Sequence, residues 1–173
     1  MYRRPARRAD PWSSDSWQDE GVTTWAEFEA NQPALAASVR GRFDVRKHKT
    51  LATLRPDGAP RISGIEVEFA DGEVYVGMMP GSVKLRDLQR DPRLALHSPT
   101  VDPPEDAPAG WPGESKIAGR AVEVDAPDGP VADAGRFAVD ITEVVFTHLN
   151  DAGDRLVIES WRPGRSYRRV ERD

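Results

Sequence analysis

Apolar positions along this chain follow two successive periods. Thr24-Trp-Ala-Glu27 reads as a capping box, its hydroxyl and carboxylate each satisfying an orphan amide, so a helix is expected from Trp25. Pro33 suits the first position of a second helical segment, in which Leu35, Val39 and Phe43 recur on one face. From Lys49 the alternation becomes strand-like. Lys49 to Arg55 reads as a strand, Pro56-Asp57-Gly58 as a turn and Pro60 to Phe69 as a second strand. In that second strand Ile65, Val67 and Phe69 share one face, and Glu66 and Glu68 the other. Asp71-Gly72 is a tight hairpin signal before a third strand, Glu73 to Met79. Connections this short require antiparallel pairing, because parallel strands need a long crossover.

Gly81 to Arg90 has Val83 or Leu85 and Leu88 spaced for a short helix, which Asp91-Pro92 ends. Arg93 to Ser98 reads as a fourth strand. Pro99, Pro103, Pro104, Pro108 and Pro112 mark residues 99–113 as a long irregular loop. Lys116 to Asp125 reads as a fifth strand and Pro127 to Ala138 as a helical connection. Asp140 to Leu149 and Leu156 to Trp161 form a last hairpin, turning at Asn150-Asp-Ala-Gly153. The pattern predicts a mainly β (α+β) fold, a small antiparallel barrel of six or seven strands with short flanking helices.

Composition narrows the chemistry. The chain has 173 residues and no cysteine, which excludes disulfides, iron–sulfur clusters, thiolate zinc sites and cysteine nucleophiles. Mean hydropathy is -0.61, and no apolar run is long enough for a membrane helix. A net charge of -5 argues against a dedicated nucleic-acid coat. Arg3, Arg4, Arg7 and Arg8 are followed by polar and acidic residues rather than an export signal's apolar stretch, so a cytoplasmic location is expected. Residues 1–20 read as a flexible arm, and 21–173 as one domain. The C-terminus from Trp161 to Asp173 carries two aromatics and five arginines. Those residues could stack on bases, pack on a partner subunit or line an anion site.

Candidate reactive groups are few. Gly-x-Ser-x-Gly is absent, and Ser63 sits inside a predicted strand. Gly77-Met-Met-Pro-Gly81-Ser82-Val-Lys84 lacks the spacing of a nucleotide-binding P-loop. Ser82 nevertheless stands at a helix start, where free amides and the helix dipole favour an anion. Lys84, in the first turn, opposes that dipole unless it faces a bound phosphate. His48, His97 and His148 have no metal-ligand spacing, and no metal site is expected. Tyr75, Ser63 and His97 are candidate proton donors, with nothing to choose between them; the catalytic residue stays unassigned.

Leu51-Ala-Thr53-Leu-Arg-Pro-Asp57-Gly58-Ala-Pro60-Arg61-Ile-Ser-Gly64, then Gly72-Glu-Val-Tyr75-Val-Gly77, Ser82-Val-Lys84-Leu-Arg-Asp-Leu88 and Asp91-Pro92-Arg93-Leu-Ala-Leu96 follow one another in order. This series resembles the pyridoxamine 5′-phosphate oxidase-like superfamily, split β-barrels that bind FMN or the deazaflavin F420. The resemblance covers residues 45–98; the later strands match only in pattern.

The resemblance implies a cofactor phosphate held by Arg61, Ser82 and Lys84, with Val83 also among the cofactor-binding residues. It implies a ring lying along Ile62, Ser63 and Gly64 and along Val76, Gly77, Met78 and Met79. It also implies a homodimer with cofactor sites at the interface, to which Trp161 and the basic tail could contribute. Two positions depart from the B6 oxidases. Glu66 stands where they carry a lysine, and no histidine follows His148. The expected activity is therefore an FMN- or F420-dependent oxidation or reduction of a small molecule, not pyridoxamine phosphate oxidation. A non-catalytic barrel binding flavin, or haem through His97 or His148, is the alternative.

Overall fold

A computed structural model describes residues 21–125 and 134–172. Two helices lead: α1 (Trp25–Asn31) and α2 (Pro33–Phe43). The capping box is formed, with Thr24 Oγ1 accepting from the Glu27 amide at 3.1 Å and Glu27 Oε2 accepting from the Thr24 amide at 2.9 Å. Then come β1 (His48–Leu54), β2 (Pro60–Ala70), β3 (Glu73–Met78), α3 (Val83–Arg90) and β4 (Arg93–His97). β5 (Glu114–Val124), β6 (Gly135–Leu149), β7 (Leu156–Trp161) and β8 (Arg168–Arg172) complete the described chain.

The strand order is β3-β2-β1-β4-β5-β6-β7-β8, and β3 also pairs with β6. Six antiparallel strands thus close a barrel, and β7 and β8 extend its sheet. β6 serves both parts. Its start pairs with β3 from Gly135 to Ala138, and its end pairs with β7 from Val144 to Leu149. Alternating Leu51, Ile65, Val74, Val76, Leu96, Ile117, Phe137 and Val139 fill the interior. α1 and α2 add Trp25, Phe28, Leu35, Val39 and Phe43 to the same core.

Two expectations need correction. Gly135 to Ala138 belong to β6 rather than to a helical connection, because Phe137 and Val139 alternate into the core; residues 127–133 of that expected connection lie outside the described residues, as does the arm at 1–20. The basic tail contains an eighth strand. Only Val170 among its five residues is apolar, so its alternation is masked, yet it pairs with β7 in full register. Charged side chains on such an edge discourage pairing with other chains. Trp161 is 7% exposed and packs on Phe28 at 5.1 Å, so its ring belongs to its own core.

The barrel is split beside β2. β2 pairs with β3 only over Val67 to Ala70, whereas β1 lines it from Pro60 to Glu66. Beyond Val76, β3 follows β6 instead. α3 stands next to this opening and packs against β1.

Candidate functional site

Met79, Pro80 and Gly81 turn the chain from β3 into α3. The turn closes through the Ser82 amide donating to the Met79 carbonyl at 3.2 Å, and Gly81 adopts a φ of +67°, which favours glycine. Ser82 is the N-cap of α3, but its side chain makes no capping bond. Its Oγ is buried without a hydrogen-bond partner. A buried hydroxyl left unpaired is uncommon, and at a helix N-terminus it lies among amides that also favour an anion.

Two contacts tie α3 to β2. Lys84 Nζ donates to the Gly64 carbonyl at 2.6 Å, and Arg61 Nε donates to Asp87 Oδ2 at 2.6 Å. Lys84 and Asp87 are three apart on α3, so both contacts are made from one face of that helix. Among the described residues, Arg61's terminal nitrogens have no protein partner.

Asp87 went unrecognised in the sequence. It is 1% exposed and also accepts from Thr53 Oγ1 at 3.0 Å and Arg90 at 3.3 Å. Arg90 further donates to the Leu54 carbonyl. Burial pushes the Asp87 carboxyl up, but the hydrogen bonds from Arg61, Thr53 and Arg90 outweigh it and leave it below the ordinary range. The available signal was its helical spacing, one turn beyond Lys84.

The expected ring-binding segments differ in character. Ile62 and Met79 are 69% and 66% exposed, and Val83 is 45% exposed. Three large apolar side chains are thus open to solvent, Met79 and Val83 beside the Ser82 turn and Ile62 on β2. Ser63 is half-buried, while Val76 and Met78 point into the core. A Cβ at Gly64 or Gly77 would meet no atom within 4 Å. Neither glycine has a positive φ, so neither backbone strain nor internal crowding requires glycine there.

The structure does not gather the three candidate proton donors. Tyr75 is buried beneath the Arg136 guanidinium, 4.0 Å from its ring, on the outer side of β3. His97 Nδ1 lies 2.7 Å from the Ser98 carbonyl, and its Nε2 is 3.5 Å from Glu114. His148 is engaged at both nitrogens, by the Leu149 carbonyl at 2.6 Å and Glu159 at 2.8 Å. Glu66, at the position of departure, faces Lys47 at 3.2 Å and His48 at 3.7 Å. Among the described residues, no three His, Asp or Glu side chains gather as a metal would need. No described helix is long and apolar enough to cross a membrane.

Solved structures share this architecture. A pyridoxamine 5′-phosphate oxidase-related, FMN-binding protein from Nostoc punctiforme PCC 73102 aligns with a TM-score of 0.58 at 10% identity, over 87% of this chain and 100% of that one. PhzG from Burkholderia lata 383, solved with tetrahydrophenazine-1-carboxylic acid, aligns with a TM-score of 0.55 at 14% identity, over 86% and 93%. The fold is the pyridoxamine 5′-phosphate oxidase-like split barrel.

General stress protein 26 from Bacillus anthracis str. Sterne is a further split barrel of this kind, with a TM-score of 0.50 at 12% identity over 64% of this chain and 91% of that one. At these identities the likeness is one of fold. No family model and no curated protein matches the sequence. In this split barrel, Arg61 and Lys84 join β2 to α3, and Ser82 caps the start of α3.

Proposed function

We propose that this chain binds a phosphate-bearing flavin or deazaflavin, FMN or F420, and uses it to oxidise or reduce a small molecule. Arg61, Ser82 and Lys84 hold the phosphate, with Val83 beside it. The ring lies against Ile62, Ser63 and Gly64 and along Val76, Gly77, Met78 and Met79. The observation that carries this reading is Ser82: an N-cap hydroxyl, buried and unpartnered, at the start of the helix that Lys84 and Arg61 join to β2. The open space at Gly64 and Gly77 supports the ring position, because a flat ring can approach backbone where no Cβ intervenes. An FMN-binding protein among the structural neighbours is consistent with it.

Once bound, a flavin or deazaflavin supplies the hydride chemistry. The protein's part is to fix the phosphate, orient the ring and keep water from it. Ile62, Met79 and Val83 favour covering that surface, and we assign the cover to a second copy of the chain in a homodimer. Ala52 faces Ile62 and Ala95 across the sheet, and Ala95 faces Ala118. This row of small side chains continues from Ile62 and lets another sheet approach closely. Haem is less well supported, since the nitrogens of His97 and His148 already face protein oxygens.

Fluorescence titration of the purified chain with FMN and with F420 tests the reading. Binding tighter than ~100 μM, worth about 5.5 kcal/mol, is expected for one of them. Failure of both would end it.

A further inference from the structure

The buried carboxylate of Asp87 accepts from three elements at once: Thr53 on β1, Arg61 on β2 and Arg90 on α3. Stability alone gives little reason for such a cluster. Apolar side chains of similar volume commonly replace buried ion pairs with no loss of stability, or with a gain. The geometry supplies another reason. Asp87 engages only Nε of Arg61, the nitrogen nearest the chain, so the planar fork beyond it stays available for an outside acceptor. The same carboxylate accepts from Thr53 on β1, which fixes its position relative to Arg61.

We propose that Asp87 is a positioning residue of the anion site: acting through Arg61, it aims the guanidinium fork at the phosphate held by Ser82 and Lys84. This rests on the phosphate reading above. It goes beyond that reading by assigning part of the phosphate's affinity to a side chain that never touches the ligand.

The test is the affinity ratio of FMN over riboflavin, which lacks only the phosphate. If the deazaflavin is the ring bound, the pair is F420 and its phosphate-free chromophore. Each is titrated against the full chain by fluorescence. Asp87→Asn is expected to lower the ratio by roughly tenfold or more, the range for a hydrogen bond to a charged group, while riboflavin affinity holds. In an Arg61→Ala background, Asp87→Asn should lower the ratio no further, because the two act through one guanidinium.

A wild-type ratio in Asp87→Asn, or an additive loss in the double variant, overturns the proposal. If Arg61→Ala and Lys84→Ala both keep the wild-type ratio, the phosphate reading itself falls and takes the proposal with it. Should Asp87→Asn fail to fold by circular dichroism, Thr53→Val removes one donor to the carboxylate while keeping side-chain volume. Its ratio should drop roughly threefold, a partial loss of one such bond, and an unchanged ratio overturns the proposal.

Discussion

Lys84 donates from its ammonium to the Gly64 carbonyl at 2.6 Å, joining α3 to β2. The contact is exposed, and an exposed pair adds little to folding stability. It holds the ammonium beside β2, where the proposed phosphate would lie, with further N–H bonds to give. Lys84→Ala should therefore weaken cofactor binding by about 1.5–3 kcal/mol, as for a hydrogen bond to a charged group. The melting temperature should change little. Titration and thermal melts on the same samples check both; a large loss of stability with unchanged binding would contradict this assignment.

The glycines divide by what surrounds them. Gly64 and Gly77 have empty space where a Cβ would stand, whereas a Cβ at Gly119 would lie 2.4 Å from the Asp140 carbonyl oxygen. Gly119→Ala should destabilise by about 1–3 kcal/mol, the range for overpacking. Gly64→Ala and Gly77→Ala should leave stability unchanged or raise it by about 0.4–1 kcal/mol, because the unfolded chain loses freedom. The bulkier Gly64→Val and Gly77→Val should keep the fold and lose cofactor affinity. Chemical denaturation and cofactor titration separate the two kinds of position.

Asp87 makes stability depend on acid. Its carboxyl sits below the ordinary range in the folded state, so its contribution is complete above the unfolded value of about 3.9 and is lost as pH falls through the folded one. Asp91 and Glu114 are lowered in the same direction, Asp91 chiefly by its hydrogen bond with Arg93. The melting-temperature gap between wild type and Asp87→Asn should be widest near neutral pH and narrow below about pH 4. A gap that stays constant down to pH 2 would be inconsistent with a lowered carboxyl.

Tyr167 reports on the C-terminal strand. Burial, then its hydrogen bond to Glu159, raise its hydroxyl to about 12. A phenol raised in the folded state favours folding fully below the unfolded value of about 10, and that advantage disappears as pH climbs to the folded value. The difference in tyrosinate absorbance between wild type and Tyr167→Phe should have its midpoint about two units above that of a free tyrosine. Glu159→Gln should bring the midpoint down.

Much of this molecule could be read from alternation and punctuation. The capping box at Thr24, the hairpin at Asp71-Gly72 and the stop at Asp91-Pro92 all fall at element boundaries in the structure. Lys84 stood out because a cation in a first helical turn needs a reason to be there, whereas Arg61 entered only through the family resemblance. What escaped depended on partners distant in sequence. Asp87 looks like a solvent-facing acid on a short polar helix until β1 and β2 are folded over it. The start of β6 looked helical because Ala134 to Ala138 offers only Phe137 as an inward anchor, and its pairing with β3 decides the matter. β8 has one apolar residue, and only the waiting edge of β7 makes it a strand.

The pairing that closes the barrel joins distant parts of the chain, Tyr75 opposite Ala138 and Met78 opposite Gly135. β1, β2, β3, α3 and β4, by contrast, follow one another within residues 48–97. Long-range closure is the slow kind of contact to make, and local hairpins are the fast kind. During synthesis the elements carrying Arg61, Ser82 and Lys84 leave the ribosome before β6 exists to complete the wall. The closing step then awaits the last third of the chain, and folding rate should respond more to substitutions in β6 than to any in the earlier hairpins.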